Sequence, residues 1–274
     1  MLKQRTHYTN ANRVAWNEAA PRHAAHNNAA LFEAFKDRSY VTFHSDLLDT
    51  LKSVDVKGKA VIQLCCNNGR ETLSLRNMGA ARCVGIDAAE EFLAHGREMI
   101  KIAEAENEVQ LLNCDVYDLP QDLHHSFDMV LVTVGVLSWL PDLEGFFQTI
   151  QRLLKPGGKL VMEEMHPVLF MYDEDSAKGA SSIHYSYFSQ QIWEESGGLD
   201  YYSHEKYAGK TNYSFMHRLD EILMAGIENN LNLLSFKELE YDISNFCMDL
   251  ENSPTKPPLG FLMVMQNGSV KPAQ

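Results

Sequence analysis

Three stretches of this chain end a run of strand-type apolar residues on groups able to do chemistry. Val61-Ile62-Gln63-Leu64-Cys65-Cys66-Asn67-Asn68-Gly69 runs from an apolar strand into a tight polar loop. Val84-Gly85-Ile86-Asp87 and Val109-Gln110-Leu111-Leu112-Asn113-Cys114-Asp115 each place a carboxylate at the end of a short buried-type strand. A strand, a tight loop and then an acid at the next strand end is how an open α/β sheet builds a nucleoside-binding crevice. Asp87 in that place can accept both hydroxyls of a ribose through charge-assisted bonds. Followed by Glu90, it also has the spacing of a helix capping box. Glu163-Glu164-Met165-His166-Pro167 brings two carboxylates and an imidazole to a further strand end. Adjacent strand residues point to opposite faces, so at most one of these glutamates looks into a given pocket. His166 titrates in the range a general base needs, and equally fits a hydrogen-bonded structural residue before proline.

The elements that must position these groups follow from periodicity. Short apolar runs at 60–64, 82–86, 109–112, 127–132 and 159–165 alternate with helical patterns at 69–77, 89–105 and 143–154, the signature of a parallel sheet buried on both faces. Lys155-Pro156-Gly157-Gly158 ends the last of these helices and turns the chain into the fifth strand. Upstream, a helix is expected over 10–20 with Pro21 as its stop, then helices at 29–36 and 46–52. After Pro167 the pattern breaks, and residues 168–212, rich in Tyr, Ser, His and Gly, read as an inserted lid. A helix from about 214 to 229, with Asn230 in a left-handed cap, leads to strands near 233–241 and 260–266. Joined by a short connection, these suggest an antiparallel edge hairpin.

Composition sets the outer limits. The 274 residues are 45% hydrophobic and 22% charged, enough for one large core with an added lobe. Net charge is −13 with no basic cluster, whereas a nucleic-acid partner calls for a positive footprint. Cys65, Cys66, Cys83, Cys114 and Cys247 form no Cys-x-x-Cys pair and read as reduced thiols of a reducing compartment, with the cytoplasm as default. Neither a leader-type apolar region nor a bilayer-length run is expected, so no membrane partner is assigned. No metal-ligand cluster stands out.

The order of elements resembles the class I methyltransferases that use S-adenosylmethionine. Three local matches carry it: the loop at 63–69, Asp87 at the second strand end, and the run from Phe127-Asp128-Met129-Val130 to Leu154-Lys155-Pro156-Gly157-Gly158. It is close over 57–166 and topological over 212–266. Where the family loop carries an acid and three glycines, this chain has Gln63, Cys65 and Asn67, and keeps only Gly69. Asn tolerates left-handed backbone angles, and Cys is small enough for close packing. The resemblance implies a Rossmann-like, doubly wound α/β fold. Its seven-stranded sheet would be mostly parallel, with an antiparallel C-terminal edge hairpin, N-terminal helices and an inserted lid. The segments are 1–56 as helical cap, 57–167 as cofactor-binding core, 168–212 as lid and 213–274 completing the sheet.

Carried over residue by residue, the resemblance has Gln63, Cys65, Asn67 and Gly69 line the methionine part of S-adenosylmethionine. Asp87 takes the ribose, Ala88 and Val116 pack on the adenine, and Asp115 accepts from its amino group. Asp115 also reads as a solvated loop acid beside Asp118. A carbonyl near Thr133 helps hold the cofactor. Trp16, Trp139 and Tyr172 are candidate walls of the acceptor pocket, although a core position is the commoner fate of a tryptophan. The expected reaction is in-line methyl transfer to a small-molecule acceptor with His166 as base, giving S-adenosylhomocysteine. Two alternatives stand beside it: a catalytically inactive cofactor-binding or regulatory protein, and an NAD-dependent oxidoreductase, for which residues 65–70 lack the Gly-x-Gly-x-x-Gly phosphate loop. The Asn/Asp-Pro-Pro-Tyr tetrad of nucleic-acid methylation is missing after the fourth strand, and no Pro-Cys pair appears.

Overall fold

Alternate residues of the central strands feed two different cores. In β1 (Ala60–Leu64) Val61 packs with Leu73 and Leu75, whereas Ile62 and Leu64 pack with Phe146, Phe147 and Ile150. A strand buried on both faces must be apolar at successive positions, which is why these runs do not alternate with polar residues. The computed structural model describes residues 2–172, 182–200, 202, 207–244 and 246–268. Helix α3 (Arg70–Asn77) follows β1 on one face, and α5 (Leu143–Leu153) covers the other.

The main sheet has the order β3-β2-β1-β4-β5-β9-β8. Strands β2 (Arg82–Asp87), β3 (Val109–Asn113), β4 (Phe127–Val132) and β5 (Leu154–Met165) run parallel with β1. Between β2 and β3 lies α4 (Glu90–Ile102). The chain leaves β1 toward β2 on one side and returns at β4 on the other. The carboxyl ends of β1 and β4 therefore flank the switch point where such sheets bind ligands.

Four sequence expectations need correction. The N-terminal helices at 10–20 and 29–36 are one helix, α1 (Leu2–Ala34), with Pro21 inside it; the expected third helix is α2 (Ser45–Ser53). Pro21 lacks the N–H that would reach the preceding turn, but its ring is exposed. Ala15, Ala19 and Ala20 before it and His23 and Leu31 after it are buried, so tertiary packing holds both halves in line. The fifth strand begins at Leu154, which pairs with Phe127; a register shift separates that pair from Lys159 opposite Met129, with left-handed Gly157 between them. Residues Asn212–Phe215 are not helical: they form β7, paired antiparallel with β6 (Ile192–Glu195), and α6 spans Leu219–Glu228.

Finally, β8 (Leu231–Leu239) and β9 (Gly260–Asn267) are antiparallel, with left-handed Asn230 before β8 as expected. Their connection is a long one folded on Leu169, Cys247, Leu250 and Leu259. β9 inserts between β5 and β8, so β8 alone is the edge. Of the lid segment, residues 173–181, 201 and 203–206 lie outside the described residues, including Tyr201.

Candidate functional site

Cys65, Asn67 and Gly69 all take left-handed backbone angles, with φ of 53°, 53° and 69°. These are the three places where glycine is free of strain and other residues are not. The chain keeps the turn without two of its glycines. Internal bonds hold it: Cys66 N–H donates to the Ile86 carbonyl (2.8 Å), and Gly69 N–H to that of Cys66 (2.8 Å). Asn67 Oδ1 accepts from Asn68 N–H (2.8 Å), and Asn68 Oδ1 from Arg70 N–H (3.3 Å). Two glycines elsewhere make room for the loop. A Cβ on Gly85 would meet Cys66 Sγ at 2.8 Å, and one on Gly96 would meet the Asn68 carbonyl at 2.5 Å.

Asp87 sits beneath this loop. Its Oδ2 accepts from Asn67 N–H at 2.7 Å and its Oδ1 from Ala89 N–H at 2.8 Å. Burial pushes its carboxyl up to about 6, against the pull of these amides. The N-cap of α4 is Ala89, so the capping-box alternative for Asp87 does not hold. Asn113 Nδ2 donates to the carbonyls of Asp87 (3.1 Å) and Ala88 (2.9 Å), fixing the strand end. Asp115 Oδ1 accepts from Tyr117 N–H (3.0 Å), and Val116 is buried in the α5-side core.

Gln63 is buried with both ends of its amide engaged. Its Nε2 donates to Thr133 Oγ1 (2.9 Å), and its Oε1 accepts from Thr72 Oγ1–H (2.6 Å). The side chain thus ties β1 to α3 and to the segment after β4; what faces a ligand at this position is backbone. That segment is in turn strapped by Glu164. Its Oε2 accepts from Gly135 N–H (2.8 Å) and Met165 N–H (2.9 Å), and its Oε1 from Leu137 N–H (2.9 Å). Burial nonetheless raises this carboxyl to about 7. Glu164 also lines a cavity of about 10 Å³, room for about one water, with Ser138, Phe170 and His217.

From above, α1 reaches onto the same edge. Trp16 meets Trp139 edge-on, with ring centroids 5.1 Å apart, and also packs on Phe92. The buried Asn12 donates to the carbonyls of Trp139 (3.3 Å) and Tyr213 (2.9 Å) and accepts from Tyr213 N–H (2.7 Å), joining α1, the turn after β4 and β7. Arg5 lies over the Tyr117 ring at 4.4 Å and pairs with Asp142 at 2.6 Å.

Residues 62–162, which span this crevice, match the family model described as a methyltransferase domain. Over these residues the chain is similar to a methyltransferase domain. Among curated relatives, a tRNA U34 carboxymethyltransferase of Cellvibrio japonicus is 28% identical over 110 residues, covering 40% of this chain and 34% of that protein. The chain thus spans less than half the length of the first curated relatives it matches. An S-adenosylmethionine-dependent methyltransferase of Mesorhizobium loti superposes with a TM-score of 0.58 at 19% identity, covering 80% of this chain and 96% of that one. The Burkholderia thailandensis 1,6-didemethyltoxoflavin-N1-methyltransferase, solved with that compound and S-adenosylhomocysteine, superposes with a TM-score of 0.59 at 13% identity, covering 97% and 91%. At these identities the likeness is one of fold, and it is the seven-stranded, Rossmann-like fold the sequence implied.

Against this methyltransferase domain, two expected site residues fall elsewhere. His166 is buried, with Nδ1 accepting from Val168 N–H (3.2 Å) as the cap of the short helix Pro167–Met171 and Nε2 facing Glu238 at 3.4 Å. Burial holds its pKa below the ordinary histidine value. Nδ1 is thus committed to the cap, whereas Nε2 makes no hydrogen bond among the described residues and meets only the Glu238 carboxylate. Tyr172 packs on the Leu169–Cys247–Leu250–Leu259 cluster and bridges to Ile183, not beside Trp16 and Trp139. Glu164, Asn12 and Tyr117 were missed. Only Glu164 had a sequence signal, its place beside Glu163 at a strand end.

Proposed function

We propose that this chain transfers the methyl group of S-adenosylmethionine to a small organic acceptor. The observation that carries the reading is the left-handed loop at Cys65, Asn67 and Gly69 seated over the Asp87 carboxylate at the sheet's switch point. In this reading Asp87 receives the ribose diol on its remaining lone pairs. Ala88 and Val116 hold the adenine, and Asp115 accepts from its amino group. The backbone at 63–69 and the carbonyls after β4 near Thr133 border the methionine end. The cofactor supplies a methyl already activated by sulfonium charge, so the protein's task is alignment and exclusion of water. Glu164 serves that task by holding Gly135 and Leu137, and α1 and β7 serve it by roofing the edge through Asn12 and Trp16.

A small acceptor fits this roof and the net charge of −13, which disfavours a polyanionic partner. The acceptors named for similar proteins range from a tRNA uridine to 1,6-didemethyltoxoflavin, and the protein named for the latter superposes on 97% of this chain. The five free thiols support a reducing compartment such as the cytoplasm.

An NAD pyrophosphate needs free backbone donors at a helix N-terminus. Here the N–H groups of residues 66 to 70 are all spent within the loop, on Ile86, Asp87, Asn67, Cys66 and Asn68. Calorimetry with S-adenosylmethionine, S-adenosylhomocysteine and NAD is the test. Both sulfur nucleosides are expected to bind and NAD to be silent; binding of neither nucleoside overturns the proposal. Release of S-adenosylhomocysteine against a metabolite panel then separates the enzyme from an inactive binding protein.

A further inference from the structure

Glu163 is the buried group that the methyl-transfer reading leaves unused. It is 4% exposed, and its Oε1 has no hydrogen-bond partner among the described residues. Its neighbour Glu164, on the opposite face of β5, is satisfied by three backbone amides, so the contrast lies within one dipeptide. Position in the sheet locates it. Val61, Leu131 and Val161 share the α3-side core, and Gln63 and Glu163 lie two residues further along their strands on that same face. The pairs Leu131–Val161 and Val132–Met162, continued by one residue, set Glu163 beside Thr133. Thr133 already accepts from the Gln63 amide. Gln63 pairs with Leu131, so Gln63, Thr133 and Glu163 lie on a diagonal across the carboxyl ends of β1, β4 and β5, with the Gln63 side chain reaching forward to Thr133.

The charged groups around Glu163 are mostly acids. Asp46 of α2 and Glu71 of α3 face it, and together with burial they push its carboxyl up to about 7. Both of those acids have cations of their own. Lys237 Nζ lies 2.6 Å from Asp46, which also accepts from Tyr241 Oη (2.8 Å), and Arg70 Nε lies 2.6 Å from Glu71. Neither cation forms an ion pair with Glu163. A carboxylate removed from water and left without a partner is costly, and it favours whatever positive group can reach it.

Position 63, where the family loop carries an acid, is a glutamine here. The negative charge that β1 does not supply stands on β5 instead. We propose that Glu163 is the anionic partner of a protonated amine borne by a ligand of this site, either the amino-acid end of the cofactor or an amine on the methyl acceptor. This rests on the methyltransferase reading above.

Glu163→Gln removes the charge at constant size, and thermal melts should show it at least as stable as wild type. Calorimetry at pH 8.5 compares the two proteins with S-adenosylhomocysteine, which has the amine, and 5′-methylthioadenosine, which lacks the amino-acid end. A ten-fold or greater loss for the first probe, with the second within two-fold, assigns the amine to the cofactor. If S-adenosylhomocysteine binds both proteins equally, turnover is measured on paired primary amines and their alcohol counterparts. A ten-fold rise in KM confined to amines, with kcat within two-fold and partial rescue by Glu163→Asp, assigns it to the acceptor. Equal affinity for S-adenosylhomocysteine together with unchanged KM, or with no amine accepted, overturns the proposal. Wild type that binds neither probe overturns the methyltransferase reading, and this site with it.

Discussion

Asp87 illustrates why a residue's role is set by what its atoms already hold. Its two oxygens secure the amides of Asn67 and Ala89, so it positions the loop as well as facing the crevice. Asp87→Ala should therefore lose about 2 kcal/mol of stability from two orphaned amides, confounding any binding result. Asp87→Asn keeps an acceptor oxygen and removes the charge. One of the two backbone amides then faces an N–H donor, so the variant should lose about 1–2 kcal/mol while weakening S-adenosylhomocysteine at least ten-fold by calorimetry; unchanged affinity would leave Asp87 as a loop support alone. For His166→Ala the geometry points the other way. Loss of the cap on Pro167–Met171 should cost about 1 kcal/mol in a melt, with turnover within two-fold of wild type. A collapse of turnover in a stable variant would restore the general base. The loop itself was legible as a turn, because Asn and small residues suit left-handed angles. That Gln63 is spent on Thr72 and Thr133 was not, because both partners are distant in sequence.

At the scale of elements, local signals failed where a distant partner outweighed them. Pro21 reads as a helix stop, yet α1 continues through it because buried residues on both sides dock on the same body. Since Pro21 is exposed and lacks only its N–H, Pro21→Ala should raise stability by about 1–3 kcal/mol in chemical denaturation. A decrease would mean that the two halves need the proline's bend. Asn212–Phe215 is a strand because β6 pairs with it and Asn12 binds its backbone. The segment after β4 holds only the short 3-10 helix Leu137–Trp139 and is tied down by Glu164. Glu164→Ala should expose the amides of Gly135 and Leu137 to hydrogen exchange and cost about 3 kcal/mol. Unaltered protection there would show that the strap is dispensable.

For the molecule as a whole, buried titratable groups set opposing pH slopes. Asp87 at about 6 and Glu163 and Glu164 at about 7 hold protons that their unfolded counterparts release near pH 4. In that interval the folded state binds more protons, so stability falls as pH rises, most of the loss ending above pH 7. His23, His166 and His217 are buried with pKa values held below the ordinary one. Below about pH 6.5 the unfolded chain binds the extra protons, and stability falls on acidification. Above about pH 6.5 the carboxyls dominate, so the melting temperature should fall as pH rises toward 8.5, and Glu163→Gln should make that fall shallower. A melting temperature that climbs from pH 6.5 to 8.5 would contradict these assignments.

Sequence alone determined the strand–helix alternation, the carboxylates at the strand ends and the likeness to a methyltransferase domain, because strands buried on both faces must be apolar throughout and tight turns select few residues. The tertiary structure decided the rest: the unbroken α1, the order β5-β9-β8, the use of His166 Nδ1 as a helix cap, the packing of Tyr172 in a separate apolar cluster, and the separate fates of Glu163 and Glu164. Those outcomes turn on which distant backbone groups and side chains meet, and neither spacing nor residue type encodes such meetings locally. One dipeptide holds both kinds of information. Its alternation put the two carboxylates on opposite faces, and only the packing satisfied one and left the other without a partner.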